Sequence, residues 1–221
     1  MDSAIFKNDT VYFVSEFHKV LQLLIFSCEK MILKEKFDLT EWENFLRNIL
    51  VEKYLRKYKT NFQIDHLNFY SEVEEISENY QTGGFIDIHI SNPMKITGKE
   101  DLFYAFECKR LDGYSVKNKE YINNGLYRFI DGKYSKNMSL AGMIGFVQSF
   151  QKKGNMNSLI VDIKNILNSH KIIKTTKNLM PYNINKKFKY SYFSQHRRKN
   201  KLSKIDLYHL FFNFNIITPR S

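Results

Sequence analysis

The hydrophobic pattern of this chain changes its period near residue 60, and that change limits the folds the chain can adopt. Apolar residues recur at three- and four-residue spacings over residues 11 to 35 and 40 to 58, which predicts two amphipathic helices. Residues 66 to 76, 85 to 90 and 102 to 109 are instead rich in Ile, Phe and Tyr and have turn residues near them, which predicts strands. The sequence therefore predicts an N-terminal helical pair followed by a sheet.

The second half of the chain returns to a helical pattern before a further pair of strands. Residues 119 to 130 and 155 to 169 carry helical texture. Two aromatic, β-prone segments at residues 188 to 196 and 204 to 214 are expected to form a closing hairpin. Helices and strands that mix in this way indicate a sheet covered by helices.

The chain shows no internal repeat and no linker rich in Gly and Ser or in Pro. We therefore expect a single α/β domain over residues 1–221. Its helical part would cover residues 1–60, and a mixed β-sheet core flanked by helices, with a basic C-terminal part, would cover residues 61–221.

The two cysteines, Cys28 and Cys108, lie far apart and form no CxxC pair. A disulfide framework or a thiolate zinc site is therefore not expected. The N-terminus lacks the pattern of a signal peptide, and the apolar runs are too short for a membrane span. These features predict a cytoplasmic protein that does not enter a membrane.

The positive charge of the chain is concentrated in one region. The net charge is +11, and twelve of the 34 Lys and Arg residues lie between Lys164 and Ile205, where there is no acid. The rest of the chain is close to neutral. A local excess of positive charge is what a nucleic-acid contact requires, although a solvated basic face is the alternative.

Two predicted strands carry charged residues among apolar ones. Asp87 lies within Phe85-Ile86-Asp87-Ile88-His89-Ile90, and Glu107-Cys108-Lys109 ends the strand that begins near Leu102. Residues two apart share a strand face, so Glu107 and Lys109 point the same way. If the strands are neighbours, Asp87, Glu107 and the carbonyl of Cys108 could hold Mg²⁺ through oxygen atoms. Lys109 would stand beside the metal and orient or deprotonate an attacking water.

The acid-x-Lys spacing by itself is a weak signal. The chain contains three such triplets, and the other two, at residues 131–133 and 162–164, lie in a predicted turn and a predicted helix. Only Glu107-Cys108-Lys109 ends an apolar strand and follows a second strand that bears an acid. The alternative is that Asp87 forms a buried ion pair with Lys109 or an arginine, and that Glu107 only ends its strand.

Residues 83 to 110, with two glycines, a strand bearing Asp87, a loop and a strand ending in Glu107-Cys108-Lys109, resemble the core motif of the PD-(D/E)xK restriction-endonuclease-like nucleases. Ile86 stands at the proline position of that motif. The resemblance implies a restriction-endonuclease-like fold with Asp87 and Glu107 as ligands of Mg²⁺, or alternatively Mn²⁺, and with Lys109 as the catalytic lysine. The family often adds an upstream glutamate, for which the candidates are Glu43, Glu52, Glu74 and Glu75.

Two further segments are candidates for binding nucleic acid. The first follows the motif and combines aromatic with basic residues, and the second is a basic loop between the last two predicted strands. The candidate contacts are Tyr127, Arg128, Lys133, Arg197, Arg198 and Lys199. An ordinary helix and a solvated turn are the alternative interpretations.

Together these features predict a metal-dependent endonuclease that acts on nucleic acid, with DNA preferred to RNA. By analogy, a role in restriction or phage defence would follow. A homodimer would make cleavage of both strands easiest. The alternatives are a nucleic-acid-binding module without catalysis, or an interaction subunit of a larger complex that docks through the helix at residues 11 to 35.

Overall fold

The N-terminal helical pair is present in the computed structural model, which describes residues 3–37, 42–76, 82–93, 103–134, 138–150, 154–199 and 203–215. Helix α1 spans Ser3–Lys34, and α2 spans Glu43–Ile49. A π-helical turn, Leu50–Leu55, continues α2 into α3, Arg56–Tyr58. The predicted start of the second helix, at residue 40, lies outside the described residues.

Seven strands of the described chain form one mixed sheet in the order β1-β2-β3-β4-β7-β6-β5. The central strands β3, β4 and β7 run parallel, and the outer pairs on both sides are antiparallel. The strand bounds are β1 Asn68–Ile76, β2 Thr82–Ser91, β3 Phe103–Leu111, β4 Leu140–Val147, β5 Thr175–Pro181, β6 Ser191–Arg197 and β7 Lys204–Asn213. The predicted α/β class and the C-terminal hairpin, β6 with β7, are confirmed.

Helices cover both faces of this sheet, because each face is apolar. One core joins α1 and α2 to side chains such as Phe106 and Ile144. The other joins the opposite face to helices α4 (Ser115–Glu120), α5 (Tyr127–Ile130) and α6 (Met156–Ser169) and to the π-helical turn Tyr121–Leu126 between α4 and α5. None of the described helices has the length and apolar character needed to cross a bilayer.

The apolar stripe of α1 is used inside the domain. Phe17, Leu21 and Leu24 are fully buried, and Phe17 stacks on Phe106 of β3 with ring centroids 5.4 Å apart. A helix whose apolar face is already packed on its own sheet does not offer that face to another protein. The apolar face of residues 11 to 35, which the sequence offered as a docking surface, is therefore part of the core of this domain.

Two strands had no counterpart in the sequence prediction. β4 is buried at every position and reads Leu-Ala-Gly-Met-Ile-Gly-Phe-Val, so it lacks polar alternation and contains two glycines. Gly142 is required there, because a Cβ atom at that position would lie 2.0 Å from the ring of Phe106. β5 is an edge strand whose pairing with β6 is irregular, and its polar sequence gives no strand pattern.

β2 begins three residues before the predicted strand. Its pairing with β1 shifts register between Glu75 and Ile76, and Gly84 adopts a positive φ of 122° opposite Glu75. Glycine tolerates this conformation, which a side chain would strain. The two glycines that predict a turn therefore form a bulge inside the strand.

A chain of hydrogen bonds runs through the buried side of β6 and β7. Tyr121 OH lies 2.8 Å from His209 Nδ1, and Ser194 Oγ lies 2.8 Å from His209 Nε2 and 2.7 Å from His196 Nε2. His196 Nδ1 then meets Thr175 Oγ1 at 3.1 Å. With both imidazoles neutral, every link of this chain has one donor and one acceptor, in whichever direction the chain runs.

We expect acid to destabilise the fold through these two histidines. Burial lowers the pKa of His196 to about 4 and that of His209 to about 3, whereas unfolded histidine titrates near ~6.5. Below pH ~6.5 the unfolded chain therefore binds protons that the native state does not bind. The free energy of unfolding falls by at least ~2 kcal/mol as the pH drops from about 6.5 to about 4. An NMR titration in which either imidazole protonates at or above pH ~6.5 in the folded protein would contradict this expectation.

Candidate active site

Strands β2 and β3 bring Asp87 and Glu107 to neighbouring positions. The described ladder between them runs from the pair Ser91–Phe103 to the pair Ile88–Phe106. Extending that register by one step would set Asp87 opposite Glu107. Beyond the ladder, the backbone N–H of Cys108 donates to Asp87 Oδ2 at 2.8 Å instead of to a strand carbonyl. The two strands separate here, and the carboxylate satisfies the backbone group exposed by the separation.

Lys109 lies at the centre of the cluster. Its Nζ is 2.8 Å from Glu107 Oε1, 3.0 Å from Glu43 Oε1 and 3.9 Å from Asp87 Oδ2. It also donates to the carbonyl of Cys108 at 2.7 Å. Burial lowers the pKa of Lys109, but the three carboxylates more than offset that effect, so its pKa is raised and the ammonium stays charged.

Helix α2 supplies a second glutamate of this cluster, Glu43, which is one of the upstream candidates. Glu43 is in the first turn of α2, and its Oε2 accepts the backbone N–H of Arg110 at 2.8 Å while its Oε1 meets Lys109. Of the other candidates, Glu52 pairs with Arg56 on the π-helical turn and α3, and Glu74 and Glu75 belong to β1. The structure thus brings Glu43 to the site and leaves Glu52 outside it.

Arg47 is the residue that sequence reasoning missed. One turn after Glu43, its side chain is only 1 % exposed and bridges Asp87 Oδ1 at 2.8 Å and Glu72 Oε2 at 2.9 Å. Glu72 itself has a positive φ of 57°, which is uncommon outside glycine. The four-residue spacing between Glu43 and Arg47 places both on one helix face, and that spacing was the available signal.

Glu107 is fully buried, and its two oxygens differ. Oε1 accepts from Lys109 and from Arg128 Nη1, the latter at 2.9 Å, whereas Oε2 has no hydrogen-bond partner among the described residues. Burial first, and then the charge of Asp87, raises the pKa of Glu107 to about 8. A buried carboxylate oxygen without a hydrogen-bond partner is energetically costly.

Arg128 is held in place by a buried tyrosine. Its Nη1 also donates to Tyr134 OH at 2.7 Å, and Tyr134 OH donates to the carbonyl of Phe85 at 2.6 Å. The guanidinium lies over the Tyr134 ring, 5.3 Å from its centroid. The turn after α5 is thereby tied to β2 beside Asp87.

The donor atoms of this cluster have the chemistry that a hard divalent cation prefers, namely carboxylate and carbonyl oxygens. The three nearest oxygens already surround one cation, the Lys109 ammonium, at 2.7–3.0 Å. No group of three or more His, Cys, Asp or Glu side chains is arranged as a ready metal site within the described residues. The sequence left open a buried ion pair between Asp87 and an arginine. That ion pair is present in the structure, and the arginine is Arg47.

The predicted nucleic-acid contacts lie in three different settings. Arg128 is at the site and bound to Glu107, and Tyr127, its neighbour, packs partly against the core. Lys133 is exposed on the following turn, close to Gly84. Of these three residues, Arg128 is the one with a described contact to a carboxylate of the cluster.

The basic loop after β6 divides into exposed and buried residues. Arg197 and Lys199 are exposed, whereas Arg198 is 6 % exposed and donates to the carbonyls of Phe129 and Met138 at 2.9 Å and 2.6 Å. The backbone N–H of Lys199 donates to Ile130. Arg198 thus fastens the loop to the α5 turn that carries Arg128, and its position favours a structural role.

Comparisons with known proteins identify no relative: no family model, no curated protein and no solved structure matches this chain. The class assigned to the fold by its own geometry is an α/β domain with a seven-stranded mixed sheet between helices. Any functional conclusion therefore depends on the chemistry of the site.

Proposed function

We propose that this protein is a metal-dependent nuclease of restriction-endonuclease-like fold that hydrolyses phosphodiester bonds, with DNA preferred to RNA. The observation that carries the proposal is the convergence of Asp87, Glu107, Glu43 and the Cys108 carbonyl on one cation where β2 and β3 separate. Metal-assisted phosphoryl transfer uses carboxylate and carbonyl oxygens to hold the metal and a nearby lysine to stabilise charge, and this cluster contains both kinds of group.

Asp87, Glu107 and the carbonyl of Cys108 would hold Mg²⁺ or Mn²⁺. Such an ion polarises a phosphoryl oxygen and lowers the pKa of bound water. The partnerless Glu107 Oε2 supports this assignment, because a cation would satisfy an atom that no described residue satisfies. Glu43 fixes the backbone of Arg110 and the ammonium of Lys109, so it orients the residues around the ion.

Lys109 would act as a charged donor. Its pKa is raised by the surrounding carboxylates, which favours a protonated ammonium over a general base. A protonated lysine beside the scissile phosphate can orient water and stabilise the negative charge that develops on the phosphoryl oxygens. Arg128, one-third exposed at the same carboxylate, can reach the phosphate from the other side.

Replacement of Lys109 by alanine tests the proposal. We expect Lys109→Ala to reduce metal-dependent cleavage by at least about a hundredfold, because the charge beside the phosphate is lost. Linear, supercoiled and single-stranded DNA and RNA would each be titrated with Mg²⁺ and Mn²⁺. Lys53→Ala is the matched control, since Lys53 is a 60 % exposed lysine paired with Glu35. Equal rates for Lys109→Ala and the wild-type protein would refute the proposal.

A nucleic-acid-binding module without catalysis is the second candidate. The specific observation in its favour is that every carboxylate of the cluster is already paired with a cation of the protein itself. That candidate predicts DNA affinity unchanged by metal and no products at any metal concentration.

The biological setting belongs to the same proposal. A role in restriction or phage defence rests by analogy on the resemblance of residues 83 to 110, and a cytoplasmic location fits the two free cysteines. A homodimer would place one site on each strand of a duplex. Sedimentation of the protein with a short duplex would measure whether two copies bind together.

A further inference from the structure

A cavity of about 340 Å³ opens beside the cluster, between the start of α2 and the helical segment α4–α5. Glu43, Lys109 and Arg128 are among its lining residues, so a ligand in the cavity can contact the candidate catalytic groups. This volume is near the lower end of the roughly 300–1,000 Å³ range of small-ligand pockets. It can take one compact ligand and has no room for a double helix.

The lining includes an exposed tryptophan. Trp42 lines the cavity immediately before α2, and its side chain is 76 % exposed. It is the only tryptophan of the chain. A large aromatic ring that stays in water beside a polar pocket is suited to stacking on a flat ligand such as a nucleobase.

The remaining lining is cationic and rich in amides. Arg110 and Lys117 join Lys109 and Arg128, so the cavity has four cations against the two carboxylates of Glu43 and Glu120. The guanidinium of Arg110 forms no ion pair with any described residue. Cations of this kind bind phosphate oxygens.

Two asparagines complete the set. Asn44 and Asn124 both line the cavity, and side-chain amides can donate to and accept from the edges of a base. Asn44 is also close to the site itself, because its Oδ1 accepts from Arg47 at 3.4 Å. The cavity thus combines a stacking ring, phosphate-binding cations and hydrogen-bonding amides.

We propose that this cavity binds one unpaired nucleotide adjacent to the scissile phosphate, so that the substrate is single-stranded or has that nucleotide extruded from the duplex. This inference rests on the proposed nuclease function for the position of the scissile phosphate. A base inside a duplex has both faces covered by its neighbours, so it must leave the stack before it can lie on Trp42. The substrate class is therefore a nucleic acid with an unpaired segment.

Trp42 itself reports on the proposed site. Selective excitation of this single tryptophan, without added metal, would follow titrations with a single-stranded DNA, the RNA of the same sequence and the matching blunt duplex. We expect saturable quenching by the single strands at concentrations at least about tenfold lower than by the duplex. Comparison of the DNA and RNA single strands identifies the preferred sugar.

Substitutions separate stacking from general charge. Trp42→Ala is expected to weaken binding of a labelled single strand by about tenfold or more, and Trp42→Phe by less, because a base–aromatic stack is worth ~1–3 kcal/mol. Tyr70→Ala is the control, since Tyr70 is exposed on β1 and does not line the cavity. Equal quenching by duplex and single strand, or unchanged affinity in Trp42→Ala, would overturn the inference.

The outcomes also separate this inference from the proposed function. Quenching by single strands without cleavage in any metal would support the nucleotide site and contradict the nuclease function. Cleavage that depends on Lys109 but not on Trp42 would support the nuclease function and contradict the nucleotide site.

Discussion

Replacing Glu107 by glutamine is expected to lower metal-dependent cleavage by at least about a hundredfold while the protein keeps its fold. The amide has the shape of the acid but not the negative charge that would hold a cation at Oε1 and Oε2. The fold should tolerate the change, because burial already raises the pKa of Glu107 to about 8 and the native state accommodates the neutral acid. Loss of activity would then report on the site and not on unfolding.

The matched control is Glu52→Gln on the π-helical turn after α2. Glu52 is about half exposed, and its one ion pair among the described residues is with Arg56, so we expect its replacement to leave cleavage unchanged. Urea denaturation of both variants would establish that they fold alike. Full activity in Glu107→Gln would remove Glu107 from the catalytic machinery, and a parallel loss in Glu52→Gln would point to a general effect on the helix.

Replacing Arg47 by methionine is expected to destabilise the protein by about 3–5 kcal/mol. Methionine keeps much of the volume but removes the cation bonded to Asp87 and Glu72. Asp87 is 8 % exposed, so its carboxylate would lose its nearest charge partner in a buried position, with Lys109 3.9 Å away. Denaturant unfolding at neutral pH measures the change directly.

Two further variants test the reason for that loss. Arg56→Met removes an exposed arginine from the same helical segment and should cost less than about 1 kcal/mol. Adding Asp87→Asn to Arg47→Met removes the unpaired charge and should recover part of the stability. If the double variant were as unstable as Arg47→Met alone, lost packing and not the buried charge would explain the effect.

Local sequence was sufficient for those parts of the fold in which neighbouring residues determine the structure. The three- and four-residue spacing of apolar residues predicted α1 and α2, and two-residue alternation about Asp87 predicted β2. Aromatic, β-prone composition predicted the hairpin of β6 and β7. It was insufficient for β4, because a strand buried on both faces has no alternation and this one contains two glycines. Only the packing of helices on both faces makes that segment a central strand.

The candidate site divides in the same way. The sequence by itself placed Asp87 on one strand, and Glu107 and Lys109 on one face of a second strand, because residues two apart share a strand face. That these two strands are neighbours came from the tertiary structure. The tertiary structure decided that Glu43, Arg47 and Arg128 join them, since these residues come from helices whose approach depends on how both cores pack. It also decided that Lys109 occupies the centre of the carboxylates, because only a folded chain brings carboxylates from three separate segments within 3.9 Å of one nitrogen atom.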